Sequence, residues 1–206
     1  GNIPRVRNIV ITNNEAKQTN GFQFVKTDSL IIDGNRIEAI GDEVASWIQI
    51  NECDSFRITN NSVTSEVWGD EVLNVYCDCP PANHCLIANN IFSSAPFWLP
   101  VAGAYINGTN VDVINNSFGH GIQIFTNGGF NFVNNLVRSN GSFAIEISSP
   151  TFFNSFNFNR YQSVGSPINF KNNGSDYTLS GWRTATGFDA QSDSVTAEYT
   201  TLTDMH

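Results

Sequence analysis

Six times along the chain an alternating apolar string runs into asparagine: NIVITNN (8–14), SLIIDGN (29–35), FRITNNSV (56–63), CLIANNIF (85–92), VDVINNSF (111–118) and FNFVNNLV (130–137). The terminal residues Asn14, Asn35, Asn61, Asn90, Asn116 and Asn135 are separated by 21, 26, 29, 26 and 19 residues. A string that persists while its spacing varies by whole loops is the mark of stacked coils with insertions on one side. No single unit of this kind buries its own apolar face, so each must lie on its neighbours.

A second strand follows each turn: GFQFVK (21–26), SWIQIN (46–51), VLNVYC (72–77), GAYIN (103–107), GIQIFT (121–126), FAIEIS (143–148) and PINFKN (167–172). Period-2 alternation puts Phe22/Phe24, Ile48/Ile50, Leu73/Val75, Ala104/Ile106, Ile122/Ile124, Ile145/Ile147 and Ile168/Phe170 on a core face. Gln23, Gln49, Asn74, Tyr105, Gln123, Glu146 and Asn169 then form an outward column. Strand, Asn turn, strand and loop, repeated about seven times, resembles an all-β right-handed parallel β-helix, a single-stranded solenoid. The right hand is implied by that resemblance. Asn suits the turns because it tolerates a left-handed backbone and its amide can bond to the same amide one coil away.

Composition agrees and removes other classes. Only 14% of residues are charged, Phe alone accounts for 16, and the net charge of −9 opposes a phosphate backbone, so nucleic acid is not an expected partner. No apolar run reaches the ~20 residues that span a bilayer, so membrane insertion is not expected. The chain opens on Gly rather than Met, which suggests a processed or trimmed piece.

The stretch NNGSDYTLSGWRTATGFDAQSDSV (172–195) carries Leu179, Trp182, Thr186, Gly187, Asp189 and Ser192. It resembles the closing segment of secreted bacterial right-handed parallel β-helix proteins of the pectate-lyase-like superfamily. That group includes polysaccharide lyases, glycoside hydrolases, epimerases and phage tailspikes. The resemblance implies coils over 1–171, a C-terminal cap and tail over 172–206, and a secreted or cell-surface location. The cap should cover an end that would otherwise expose apolar surface and unpaired backbone, with Trp182 and Phe188 as its lid. No comparable cap precedes the first string, which implies missing N-terminal coils, or a neighbouring domain or subunit at that end.

Four cysteines, Cys53, Cys77, Cys79 and Cys85, favour two disulfides in a chain of this class. Cys79–Cys85 with Cys53–Cys77 is one of three connectivities, and the sequence does not choose among them. A zinc site from Cys77, Cys79, His84 and Cys85 is the alternative, although its spacings fit the usual pattern poorly.

Chemistry could reside in GDEV, which occurs at 41–44 and 69–72. Stacking at about 4.8 Å would bring Asp42 and Glu43 near Asp70 and Glu71, a carboxylate cluster suited to Ca²⁺ or to a general acid of raised pKa. Solvent-facing loop corners are the plainer reading. GDEV followed by GHG (119–121) resembles the acid pair and Gly-His-Gly motif of polygalacturonase-type hydrolases. Gln123, Ile124 and Phe125 depart from the rest of that motif, and fifty residues separate Asp70 from His120. A polysaccharide lyase is the favoured enzyme class, with His120 or Arg138 as base, Lys171 more distant, and the acidic cluster holding calcium.

A non-catalytic reading draws on the outward face. Trp47, Tyr76, Tyr105 and Phe125 alternate there with Gln49, Asn74, Asn107 and Gln123, and Glu146 continues the column. Aromatics beside amides suit sugar rings, which stack on one and hydrogen-bond to the other. Trp68, Phe97 and Trp98 could wall such a groove, or pack beneath their own loops. The expected partner is thus a polysaccharide, bound along an elongated face by a lyase-like enzyme or by an adhesin- or tailspike-like recognition module.

Overall fold

A computed structural model describes residues 5–17, 21–39, 48–65, 71–80, 83, 85–94, 103–139, 143–163 and 167–196. Its strands stack into three sheets of seven, eight and eight strands, all paired in parallel except Ser175–Tyr177, which pairs antiparallel at the end of the third, and together they form a parallel β-helix. The first sheet runs from Val6–Thr12 through Phe56–Thr59 to Phe153–Asn157 and holds the strands that lead into the Asn turns. The third runs from Phe22–Val25 through Leu73–Asp78 and Phe170–Asn172 to Ser175–Tyr177 and holds the second strands expected from the sequence. Between them lies a sheet that periodicity did not separate. Its strands, such as Arg36–Ala39, Ser62–Ser65 and Ser117–Phe118, are two to four residues long and too short to declare a period.

Alternation places apolar side chains in register up the inside. Ile32, Ile58, Ile87, Val113 and Phe132 form one such stack, and Ile50, Val75, Ile106, Ile124 and Ile147 another, all essentially without solvent exposure. Burying each such side chain contributes about 1.5–3 kcal/mol, which no isolated coil could obtain.

Each turn divides its work between two residues. Asn13, Asn60, Asn89, Asn115 and Asn134, which precede the ladder residues, take the left-handed backbone with φ between 55° and 58°. Gly34 serves in one coil at φ 67° and Phe158 in another at 58°. The following Asn keeps an ordinary backbone and stacks. Asn61 donates its backbone N–H to Asn90 Oδ1 at 2.9 Å and its side-chain amide to the same oxygen at 3.0 Å. The same pair of bonds joins Asn14 to Asn35, Asn35 to Asn61, Asn90 to Asn116, Asn116 to Asn135, and Asn135 to Asn159. Asn159 is a seventh rung outside the six repeat strings, because Phe rather than Asn or Gly stands before it.

The ladder ends in the tail. Asp189, without solvent exposure, accepts from Asn159 Nδ2 at 3.1 Å, Tyr161 Oη at 2.8 Å and Trp182 Nε1 at 2.9 Å, and also from Ser192 Oγ. Ser192 Oγ in turn receives the Asn159 backbone N–H at 2.8 Å. Burial raises the Asp189 carboxyl above its ordinary range, and the four donors oppose that shift. Burial, reinforced by the neighbouring carboxylate, also pushes the Tyr161 phenol well up. The helix Leu179–Thr186 lays Trp182 against Phe156 and Phe170, while Phe188 stacks on Phe156 at 5.1 Å. Trp182, Asp189 and Ser192 of the tail motif thus close the core and terminate the ladder together. Beyond them, Asp193–Thr196 adds a last parallel strand to the second sheet.

Cys79–Cys85 is a disulfide closing the Pro-containing loop. Contrary to the expectation of two bridges, Cys53 and Cys77 are buried free thiols. They occupy stacked coils, where the Cys53 N–H points to Cys77 Sγ at 3.3 Å, and contact with Cys53 together with burial raises the Cys77 thiol. The zinc alternative fails because two of its four ligands are joined to each other. No helix among the described residues is long and apolar enough to cross a membrane.

Candidate functional site

The outward face of the third sheet carries two parallel columns. Alternation leaves every second side chain facing away from the core, and parallel pairing stacks each on its counterpart one coil away. Gln23, Gln49, Asn74, Tyr105, Gln123, Glu146 and Lys171 form the first column. Val25, Asn51, Tyr76, Asn107 and Phe125 form the second.

Polar members of the first column hold one another. Gln23 Nε2 donates to Gln49 Oε1 at 2.8 Å, and Gln123 Nε2 to Glu146 Oε2 at 2.8 Å. Tyr105 and Phe125 bridge the columns, with ring centroids 5.4 Å apart and planes tilted by 32°. Asn107 Nδ2 points to Tyr105 Oη at 3.4 Å. Tyr76 is 55% exposed, although most large apolar side chains of the chain are buried. Beside these rings lies a depression of about 300 Å³, lined by Tyr76, Asn107 and Phe125 with Asp78, Asn127 and Ser148. The arrangement offers ring faces for stacking and amide, hydroxyl and carboxylate groups for directional hydrogen bonds.

Gln49, Asn74, Tyr76, Tyr105, Asn107, Gln123, Phe125 and Glu146 therefore all lie on one face. Trp47 lies outside the described residues, as do Trp68, Phe97, Trp98 and His84. The neighbour of Glu146 is Lys171 rather than Asn169, because the last strand is displaced by two residues from the register read in PINFKN. Lys171 Nζ stands 5.2 Å from the Phe143 ring centroid. Asp78, Asn127 and Ser148 escaped the sequence reading. Asp78 sits inside CDC, where the cysteines carry the recognisable pattern, whereas the other two follow strand ends where alternation stops.

The expected bases are placed differently. His120 is only 4% exposed and Arg138 only 2%, so neither expected base stands open to solvent. The glycines beside His120 have a packing cause. A Cβ on Gly121 would lie 2.3 Å from the Phe143 carbonyl oxygen, and one on Gly119 would lie 3.1 Å from Ser93 Cα. A Cβ on Gly103 would meet that of His120 at 2.6 Å. Adjacent coils thus leave no room for a Cβ at Gly121 and little at Gly119. Arg138 belongs to the second-sheet strand Leu136–Ser139, away from the aromatic face, with Nε directed at Gln162 Oε1 at 3.4 Å.

Of the carboxylate cluster, Glu71 is half-buried just before the strand Leu73–Asp78, whereas Asp42, Glu43 and Asp70 lie outside the described residues. Among the described residues no three His, Cys, Asp or Glu side chains gather as a metal site.

A second depression, of about 400 Å³, lies on the first sheet around Asp33, Arg57 and Leu86. Thr59 Oγ1 at 2.5 Å and Asn60 Nδ2 at 2.8 Å donate to the Asp33 carboxylate and hold it below its ordinary range. These bonds tie neighbouring coils together, and no aromatic ring lines the hollow.

The fold and this face define a parallel β-helix with an aromatic and amide-lined surface. In comparisons with known proteins, no family model, no curated protein and no solved structure matches the chain.

Proposed function

We propose that this chain is an extracellular β-helix module that binds a polysaccharide along the outer face of its third sheet. The observation that carries the proposal is the pair of columns in which Tyr76, Tyr105 and Phe125 alternate with Asn74, Asn107 and Gln123 at coil spacing. A linear polymer laid across the coils would meet a ring and an amide at successive steps of about 4.8 Å. The net charge of −9 and the carboxylates of Asp78 and Glu146 favour a neutral glycan over a polyuronate. The Cys79–Cys85 disulfide accords with an oxidising, extracellular setting. The coil architecture and tail motif support kinship with the pectate-lyase-like superfamily.

A second reading, catalysis of the lyase type, draws on Lys171 standing beside Glu146, an amine and a carboxylate on the same outward column. Lysine is among the residue types that can take the proton next to a uronate carboxylate. Calcium held by the carboxylates of the GDEV strings at 41–44 and 69–72 would then neutralise that substrate.

A panel of neutral and uronic polysaccharides, with and without calcium, separates these readings by retention in affinity gels and by ultraviolet absorbance of unsaturated ends. Retention of a neutral glycan, weakened about tenfold in Tyr76→Ala and in Phe125→Ala, is expected for loss of a stacking ring. If nothing is retained, or the two variants bind like the parent, the binding proposal fails. Release of unsaturated ends that Lys171→Ala abolishes would establish the lyase instead.

A further inference from the structure

The two ends of the solenoid are built differently. At the C-terminal end the ladder finishes on Asp189 and Ser192 and the core beneath Trp182. At the other end Asn14 donates to Asn35, but no described residue donates to Asn14 Oδ1. Every later rung from Asn35 to Asn159 accepts two bonds there from the rung before it.

The core is open at the same rim. Ile9, Ile11, Ala16, Phe22 and Phe24 point inward by register, yet all are only half-buried. Their counterparts one coil further in, Leu30, Ile32, Ile37, Ile48 and Ile50, are at most 1% exposed. Strands Val6–Thr12, Glu15–Lys17 and Phe22–Val25 are the first of their sheets and are paired on one side only.

We propose that this rim is a docking surface for one more coil of the same repeat, connected in sequence through Arg5. The chemistry of the rim selects that occupant. Asn14 Oδ1 needs an N–H and an amide from an Asn turn above it, and three parallel strand edges need three parallel strands whose inward apolar side chains cover Ile11 and Phe24. A second copy of the chain does not supply this. Two rims facing each other about a two-fold axis would bring Asn14 Oδ1 against Asn14 Oδ1, acceptor to acceptor, with antiparallel strands. A head-to-tail copy meets the closed end at Trp182. The connection is already in place, because Val6 pairs with Thr27, and in the next coil Thr27 is reached directly from the third-sheet strand Phe22–Val25.

The test replaces residues 1–4 with VDVINNSFGHGIQIF, a copy of 111–125, joined directly to Arg5. This sets the added ladder Asn 19 residues before Asn14, the shortest spacing found between rungs. Amide exchange in Val6–Thr12 and Phe22–Val25 is expected to slow by about tenfold or more, and the thermal midpoint to rise. A second extension with Ala for the added ladder Asn should lose most of both gains. The parent chain should remain monomeric by light scattering. Unchanged exchange at the rim with the remaining coils intact, equal gains with Ala, or a parent dimer that already protects these amides would each overturn the proposal.

Discussion

Replacing Asn90 by Ala tests whether the ladder stabilises the fold or merely accompanies it. Asn90 accepts from the Asn61 backbone and side chain, and its own amide donates to Ile58 O, Ala88 O and Asn116 Oδ1 at 2.9–3.0 Å. Several of these partners keep another bond. Asn61 Nδ2 still reaches Ile32 O and Thr59 O, Ala88 O still accepts from the Asn60 N–H, and Asn116 Oδ1 still accepts from the Asn90 N–H. The group fully stranded is the buried Asn61 N–H. Leaving such a donor unpaired costs about 1–3 kcal/mol, and the remaining lost bonds add about 1 kcal/mol more, for a total of about 3 kcal/mol. In a chain of this size that lowers the thermal midpoint by about 6–12 °C. Urea and thermal unfolding measure it. Asn90→Asp is a sharper companion, because a carboxylate of the same shape presents oxygen to three acceptors and should be worse than Ala at neutral pH. A midpoint within about 2 °C of the parent for Asn90→Ala, below the least expected for one stranded donor, would refute the reasoning.

Two further outcomes follow from the closed end and the turns. Burial raises the Asp189 carboxyl above its ordinary value of 3.8, so the native state holds an extra proton between that value and the raised one. The stability that Asp189 contributes is fully present below the lower value and is lost as pH rises through the upper. The stability difference between parent and Asp189→Asn should therefore grow as pH falls from neutral towards about 4, measured by urea unfolding; a constant difference would contradict it. Phe158 holds φ 58° with 56% exposure, at the turn position filled by Asn or Gly in the other coils. Phe158→Asn should raise stability by about 1 kcal/mol by relieving the left-handed penalty, and a lowered midpoint would show that the ring has a packing role instead.

The repeat strings were legible because alternation with period 2 and recurrent Asn are both local. They identify six of the seven strands of the first sheet, seven of the eight of the third, the core stacks and six of the seven rungs. The second sheet was not legible, since two to four residues hold no more than one alternation. The aromatic and amide face was legible for the same local reason, as Tyr76, Tyr105, Phe125 and Gln123 hold alternate positions in their strands. Lys171 was not, because a slip of two residues preserves the alternation while changing the neighbour.

What the sequence determined by itself was periodicity: which side chains face in, which face out, and where the chain turns. Only the tertiary structure decided how those periods meet. It divided the double Asn into a bent residue and a bonded one, gave the tail motif its role through Asp189, and left Cys53 and Cys77 as thiols. It also placed His120 inside. The Gly-His-Gly string resembled a catalytic motif in one dimension, but close stacking between coils excludes a Cβ at Gly121 and crowds one at Gly119, and that distance belongs to no single stretch of sequence.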